Sequence, residues 1–452
     1  MQPEIAPPVS RGRRPIPSAF RRAMGITNVI ATVTLRDARR FAAGMLACVL
    51  AGCATTHPLM PTPMLYKGAD AKPVFSDASV DSPPLPVDLL FVTDRARADG
   101  TSEPSYTAER SRSIAFGSTR IEFTQETTLA LGATTERGRF PAIPYLLTEV
   151  PGGMRRAAAV IEAHAKAKQE LQTEIATRLA VARRKEVVLF VHGYHVTFEE
   201  AAVTMGEMCH FLGREFVCGI FTWPAGGDRG ALLGYGVDRE SAEYAVEDLA
   251  KVIRIIAATP GLERIHFIAH SRGTDTLASA LAVLSVEAYA HKSSPAQEFH
   301  IGNVVLVAPD LDGDVAVSKI FKVFSDPDLP FGTEADPTAV IPPSTGLKLT
   351  LYVSHADKAL ATSSWLFGSS ARLGRIDETM FTPDQIEMLG KLQAVDIIEV
   401  PGATDFFGHS YFVSNPNVSS DIIAMLRYGL HPNDPRRPLE RVVGPFWRVA
   451  RD

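Results

Sequence analysis

Arg264-Ile265-His266-Phe267-Ile268-Ala269-His270-Ser271-Arg272-Gly273 is the stretch that decides the fold. Its first half has the apolar composition of a buried strand, and three leucines follow the stretch at helical spacing: Leu277, Leu281 and Leu284. A strand, a tight turn around one serine and a helix form a nucleophile elbow, which exposes the serine Oγ at the end of the strand. Small residues must flank the serine because the strand and helix backbones nearly touch, and Ala269 and Gly273 supply them. The pattern predicts Ser271 as a nucleophile.

Apolar runs of strand length alternate with helical stretches through the rest of the chain. Strands are predicted at 87–92, 113–123, 186–191, 217–223, 265–268, 303–308, 348–353 and 395–400, and helices at 155–184, 198–211, 238–257 and 419–428. Asp238 has the character of an N-cap for the third helix. Strands that are apolar on both faces and separated by helices indicate a mostly parallel sheet covered on both sides. Together with the elbow, this predicts an α/β-hydrolase fold over residues 87–430, followed by a polar tail at 431–452.

The partners of the serine are predicted from chain order. In this fold the acid and then the histidine follow the nucleophile, each after a strand. Asp357 follows the strand 348–353 and His409 follows the strand 395–400, so His409 would take the proton from Ser271 and Asp357 would orient the imidazole. Two other acids, Asp310 and Asp312, come one strand earlier and remain alternatives. Asp357 could also be only the N-cap of the segment that follows it.

An oxyanion hole requires two backbone N–H groups near the serine. One is predicted to come from Arg272 and the other from Tyr194, in the loop His192-Gly193-Tyr194-His195 that follows the strand 186–191. His192, His195 and His270 do not have the spacing of a zinc site, and no metal or cofactor is predicted. As alternatives to His409, His355, His195 and His270 lie too early in the chain or too close to the serine.

The beginning of the chain has the pattern of an export signal. Basic residues precede the uncharged run 41–52, which ends in L-A-G-C and resembles the lipobox of bacterial lipoproteins. We therefore expect residues 1–52 to be a signal peptide, Cys53 to be lipidated and the proline-rich residues 53–86 to be a tether. Met24 is an alternative start that would leave residues 1–23 untranslated, and a plain signal peptide with a chance cysteine is the alternative to lipidation.

This pattern places the protein in the bacterial cell envelope, attached to a membrane, with its folded domain outside the cytoplasm. Ala54 rather than aspartate follows the cysteine, which favours the outer membrane in a Gram-negative host. The net charge of -5 and the lack of a basic block argue against nucleic acid as a partner. An export compartment permits a disulfide between Cys209 and Cys218, although two buried thiols fit equally well. The oligomeric state stays open.

Six motifs together resemble an uncharacterised bacterial group of α/β-hydrolases described as esterase- or lipase-like. They are V-L-F-V-H-G-Y, F-T-W-P-A-G, I-A-H-S-R-G, A-P-D-L-D, L-Y-V-S-H-A-D-K-A-L and G-H-S-Y-F. The resemblance covers about residues 87–430 and implies hydrolase activity without naming a substrate. The group usually has methionine where this chain has Arg272, which leaves the shape of the pocket open.

The predicted function is a serine hydrolase that cleaves a small-molecule or lipid ester through an acyl-enzyme. A peptidase or thioesterase could use the same residues. A non-catalytic envelope protein on a hydrolase scaffold is the alternative from another class. The segment 363–394, between the predicted acid and the predicted histidine, is either a lid over the site or a surface helix pair.

Overall fold

The computed structural model describes residues 56–68, 71–75, 85–125, 127–228, 231–321, 347–367, 372–402 and 408–450. The elements are β1 (Thr56–Pro58), β2 (Val87–Arg97), β3 (Tyr106–Gln125), β4 (Thr128–Arg139), β5 (Leu147–Val150), β6 (Gly153–Arg156), α1 (Ala158–Val181), β7 (Glu186–Val191), α2 (Phe198–Phe211), β8 (Val217–Thr222), α3 (Ala231–Ala257), β9 (Arg264–His270), α4 (Gly273–Ala290), β10 (Ile301–Val307), β11 (Lys348–Val353), α5 (Lys358–Phe367), α6 (Pro383–Leu392), β12 (Val395–Glu399), α7 (Pro416–Tyr428), β13 (Leu439–Val443) and β14 (Phe446–Val449). Short helical turns lie at Met64–Tyr66, Pro295–Glu298, Gly313–Ala316, Val317–Phe321, Leu373–Arg375, Glu378–Met380 and Tyr411–Ser414.

A twelve-stranded sheet organises the described part of the chain, in the order β1-β4-β3-β2-β8-β7-β9-β10-β11-β12-β14-β13. The strands from β2 to β14 in that order run parallel to their neighbours. The antiparallel strands lie at the two edges, where β1, β4 and β3 continue from β2 and β13 pairs with β14. The carboxyl ends of the parallel strands all lie on the same side of the sheet, and Ser271, Asp357 and His409 each follow a strand on that side. We call the side formed by these strand ends the Ser271 edge.

Helices cover both faces of the sheet. On one face, α1, α3 and α4 pack their apolar sides into one hydrophobic core, and α2 and α7 build a second core on the other face. The inward residues predicted for α3 and α4 are buried: Ala242, Val246, Leu249, Ile253, Ile256, Leu277, Leu281 and Leu284. The predicted α/β fold with a mostly parallel, doubly covered sheet is confirmed.

Two predictions about the ends of the domain are wrong. Residues 56–75, expected within the tether, are attached to the domain where they are described: β1 pairs with β4, and the Met60 N–H donates to Glu207 at 2.8 Å. The expected polar tail at 431–452 contains β13 and β14, which extend the sheet beyond β12. β1 and β13 are short edge strands with exposed residues, and the buried β14 has only four residues, so these sequences lack the longer continuous apolar pattern of the central strands.

One open alternative, the state of the two cysteines, is settled by the structure. Cys209, near the end of α2, forms a disulfide with Cys218 of β8. Helix α6, one part of the segment 363–394, packs beside β14, where Ile386 fills the space next to Gly444 and Phe381 contacts the Phe446 ring. Whether 363–394 acts as a lid stays an open prediction. Among the described residues, no helix combines the length and apolar character needed to cross a membrane. The predicted signal peptide and Cys53 lie outside the described residues.

Candidate functional site

Ser271 occupies the turn between β9 and α4 in the conformation that an elbow requires. Its φ is 53°, in the left-handed region that non-glycine residues rarely adopt. The turn is held because the Ser271 N–H donates to Val307 O at 3.0 Å, and the Ser271 carbonyl accepts from the Thr274 hydroxyl at 2.6 Å. A Cβ added at Gly273 would lie 2.2 Å from His192 O, so only glycine fits where α4 crosses the end of β7. The small residue that the sequence predicted after the serine therefore has its steric cause here.

The structure brings Asp357 and His409 together. The His409 Nδ1–H donates to Asp357 Oδ2 at 2.7 Å, and the Asp357 side chain is fully buried while that of His409 is 16% exposed. Asp357 also caps α5, since its Oδ1 accepts from the Leu360 N–H at 2.9 Å. The interpretation as an acid partner and the interpretation as an N-cap therefore describe the two oxygens of one carboxylate.

His270 links the histidine loop to the elbow. Its Nε2–H donates to the backbone carbonyl of His409 at 3.1 Å, and the two rings lie 4.8 Å apart. Because His270 directly precedes Ser271, this contact fixes the loop of His409 beside the serine. Sequence reasoning had only excluded His270 as the base, and its position next to the serine was the signal for this second role.

The alternative acids and histidine are engaged elsewhere. Asp312 caps the short helix Gly313–Ala316, accepting from two backbone N–H groups of that turn. His355 pairs with Asp377 at 2.9 Å. Asp310 is buried and accepts from Arg272 at 3.1 Å and from Tyr235 at 2.6 Å. No hydrogen bond to His409 is found for these side chains in the described part of the chain.

The loop after β7 lies against the serine, as expected for an oxyanion loop. A Cβ on Gly193 would come within 2.8 Å of the Ser271 Cβ, so the backbone of the loop passes close to the serine. Tyr194, the predicted second oxyanion donor, is the next residue of that loop. Its neighbour His195 has a φ of 58°, and the His195 N–H donates to Asp238 Oδ2 at 3.0 Å. Asp238 is therefore not the N-cap of α3, which begins at Ala231; its carboxylate is turned to this loop and also accepts from the Gly226 N–H.

A buried arginine supports the same loop from behind. Arg95 is 1% exposed and donates to the carbonyls of Val196 and Ala225, to the Thr222 hydroxyl and to His192. Burial lowers the pKa of Arg95 to about 10. The sequence offered no specific signal for this residue, because its role depends on contacts between segments that are distant along the chain.

His192 is a structural residue of this scaffold. Burial and the charge of Arg95 hold its pKa well below the ordinary value, so the ring is neutral. Its Nε2 accepts from the Trp223 N–H at 3.1 Å, and the Trp223 ring stacks on it at 4.9 Å. Among the described residues, no group of three or more His, Cys, Asp or Glu side chains could hold a metal ion.

Among the comparisons with known proteins, the match to a family model supports this architecture. Carboxylesterase CesB (YbfK) from Bacillus subtilis is similar over 54% of this chain and 85% of its own, with 12% identity and a TM-score of 0.24, and a likeness this weak adds nothing to the assignment. No functionally curated protein matches the chain. The model of a family described as alpha/beta hydrolase of unknown function (DUF900) matches residues 167–427, from within α1 to the last turn of α7. Since that match spans more than half of the 452 residues, the chain belongs to this α/β-hydrolase family.

Proposed function

We propose that the protein is a serine hydrolase that cleaves carboxylic esters with Ser271 as nucleophile, His409 as base and Asp357 as the acid that orients the base. The observation that carries the proposal is the pairing of Asp357 with His409 at 2.7 Å beside an elbow whose serine has a φ of 53°. A serine held at positive φ is strained, and such strain is common at functional sites.

The chemistry follows from the arrangement. His409 removes the proton from the Ser271 hydroxyl as its Oγ attacks the ester carbonyl, and the alcohol leaves with that proton. The Arg272 and Tyr194 N–H groups receive the oxyanion of the tetrahedral intermediate. Water, activated by His409, then cleaves the acyl-enzyme, releases the acid and restores the serine. The substrate is a small-molecule or lipid ester, and the protein is attached to a membrane through an acylated Cys53.

The first prediction tests the nucleophile. Ser271→Ala should lower turnover of p-nitrophenyl esters by on the order of 10³-fold or more and abolish labelling by a fluorophosphonate probe, because both reactions need the serine oxygen. Ser285→Ala is the matched control: Ser285 is similarly buried in the adjacent helix, where its hydroxyl donates to Leu281 O, and both activities should persist.

Two results would count against the proposal. A folded Ser271→Ala variant that keeps most of its esterase activity would exclude the serine as nucleophile. If the unaltered protein neither reacts with the probe nor hydrolyses oxygen esters, thioesters or peptides, the fold is a non-catalytic scaffold.

A further inference from the structure

A buried polar cluster lies directly behind the elbow. Asp310, which is 3% exposed, accepts from the Tyr235 hydroxyl at 2.6 Å and from the Arg272 guanidinium at 3.1 Å with one oxygen, and from the Ser363 hydroxyl at 2.9 Å with the other. Arg272 also donates to the Tyr235 hydroxyl. Three segments that are far apart in sequence therefore converge on one carboxylate.

This cluster touches both residues to which the oxyanion donors were assigned. Arg272 follows Ser271 directly, and its side chain is held by Asp310 and by Asp275 at 3.0 Å. Tyr235 continues the connection on the other side, since its ring lies 5.2 Å from the ring of Tyr194. A Cβ added at Gly234 would lie 3.4 Å from the Tyr194 hydroxyl, so the backbone next to Tyr235 is also close to the Tyr194 side chain. A continuous chain of contacts thus runs from Arg272 through Asp310 and Tyr235 to Tyr194.

The electrostatics of the cluster favour the charged forms of Asp310 and Arg272. Burial alone would raise the pKa of the Asp310 carboxyl, but the guanidinium groups of Arg272 and Arg372 bring it below its ordinary value. Burial would likewise lower the pKa of Arg272, but Asp310 and Tyr235 raise it. Both oxygens of Asp310 accept hydrogen bonds, and charge-assisted hydrogen bonds in a low dielectric hold the groups that make them in place. Buried ion pairs add little net stability compared with apolar packing, so a role in geometry explains this one better than a role in stability.

We propose that Asp310 and Tyr235 are positioning residues that set the spacing of the Arg272 and Tyr194 backbone N–H groups. The proposal rests on the serine-hydrolase function proposed above and deepens it. An oxyanion hole is complementary to the oxygen of the tetrahedral intermediate rather than to the carbonyl of the bound ester. We call the contacts of Asp310 and Tyr235 with Arg272 and Tyr194 the brace. Loosening the brace should therefore reduce turnover while leaving substrate binding nearly unchanged.

Tyr235→Phe is the sharpest test because it removes one hydroxyl and leaves the Asp310–Arg272 pair in place. We expect kcat for a p-nitrophenyl ester to fall on the order of 10-fold, since loss of an entire donor costs about 10²–10³-fold, with KM changed by less than about 2-fold. Tyr244→Phe is the matched control on the same helix, because the Tyr244 hydroxyl donates to Ser111 O at 2.7 Å, outside the cluster. Its kcat should equal that of the unaltered protein.

A second measurement separates positioning from a merely structural effect. An aryl trifluoromethyl ketone forms a tetrahedral oxyanion with the serine, so its affinity should weaken in Tyr235→Phe by the same factor as kcat. Asp310→Asn should have the same signature, and the two effects should be non-additive in the double variant because they break one chain of contacts. Should Asp310→Asn fail to fold, Tyr235→Phe alone decides.

The failure of this proposal differs from the failure of the function. If Ser271→Ala is inactive but Tyr235→Phe matches Tyr244→Phe in kcat and inhibitor affinity, the brace is wrong and the serine hydrolase stands. A Tyr235→Phe variant with raised KM and unchanged kcat would also overturn the brace, because it would show a role in substrate binding. If Ser271→Ala keeps its activity, both proposals fall together.

Discussion

At the residue scale, Asp357 shows how one side chain can meet a structural and a chemical requirement together. Its Oδ1 accepts from the Leu360 N–H at the start of α5, and its Oδ2 accepts from the His409 ring. The helix cap fixes the carboxylate, so the second oxygen points to His409 without a further anchor. A backbone contact thereby determines the orientation of the imidazole.

Asp357→Asn should separate these two roles. The asparagine oxygen can still cap α5, but its NH₂ group faces His409 and favours the wrong imidazole tautomer. We expect turnover of a p-nitrophenyl ester to fall by up to about 10⁴-fold, with a melting temperature close to that of the unaltered protein. Asp312→Asn is the control, because Asp312 also caps a short helix and is not paired with His409. A nearly active Asp357→Asn would show that the acid lies elsewhere.

The residues that follow strand ends could be predicted from sequence, whereas those that support them could not. Ser271, Asp357 and His409 were found because their order along the chain is constrained by the sheet. Arg95 and Tyr235 were missed because their partners come from distant segments. Asp238 was assigned to the wrong role, since a polar residue before an apolar helical period also fits an N-cap; the helix in fact begins seven residues earlier.

At the scale of elements, the buried parallel strands were predicted well and the edge strands poorly. β7 and α2 begin and end where the sequence predicted, because each has a continuous apolar run or a capping box. Strands β1, β13 and β14 are short, and β1 and β13 are largely exposed, so they resemble loop sequence until the neighbouring strand is known. Residues 56–75, which the sequence predicted as part of a tether, are instead attached to α2, where Glu207 accepts a hydrogen bond from the Met60 N–H.

The burial of Glu207 should make stability depend on pH, because it outweighs the hydrogen bond from Met60, which by itself lowers the pKa of this carboxyl. Burial raises the pKa of Glu207 from 4.5 to about 7, so the folded protein binds this proton more tightly than the unfolded chain. The stabilisation that Glu207 gives by binding this proton is therefore fully present below about pH 4.5 and is lost as the pH rises through about 7. In urea unfolding, the free energy of unfolding should decline between pH 5 and pH 8. We expect this decline to be smaller in Glu207→Gln than in the unaltered protein, by on the order of 2–3 kcal/mol.

The control and the contrary result for Glu207 are both simple. Glu243→Gln changes an exposed carboxylate on α3 and should leave the pH dependence as it is in the unaltered protein. If Glu207→Gln loses as much stability between pH 5 and pH 8 as the unaltered protein, the Glu207 carboxyl is ionised throughout that range in the folded state.

At the scale of the whole molecule, the packing of β1 restricts how an acylated Cys53 could present the domain. Only two residues separate Cys53 from Thr56, so the chain between an acylated Cys53 and the first residue of β1 can span at most about 10 Å. β1 pairs with β4 at Thr128–Ala130, whereas the far end of β4, Arg139, pairs beside the carboxyl ends of the parallel strands. Ala130 and Arg139 are nine residue steps apart along the strand, which corresponds to about 30 Å.

We therefore predict that a lipidated protein turns its Ser271 edge away from the membrane that holds it and acts on esters reached from the aqueous side. Leu233, 76% exposed in the first turn of α3, and Val181, 86% exposed at the end of α1, lie near opposite edges of the sheet. Single cysteines at these positions can be labelled selectively, since Cys209 and Cys218 are disulfide-bonded. In liposomes with a headgroup quencher, the fluorophore on Val181→Cys should be quenched more strongly than that on Leu233→Cys. Stronger quenching at Leu233 would mean that the site faces the bilayer, and a protein that does not partition into liposomes would refute the lipid anchor itself.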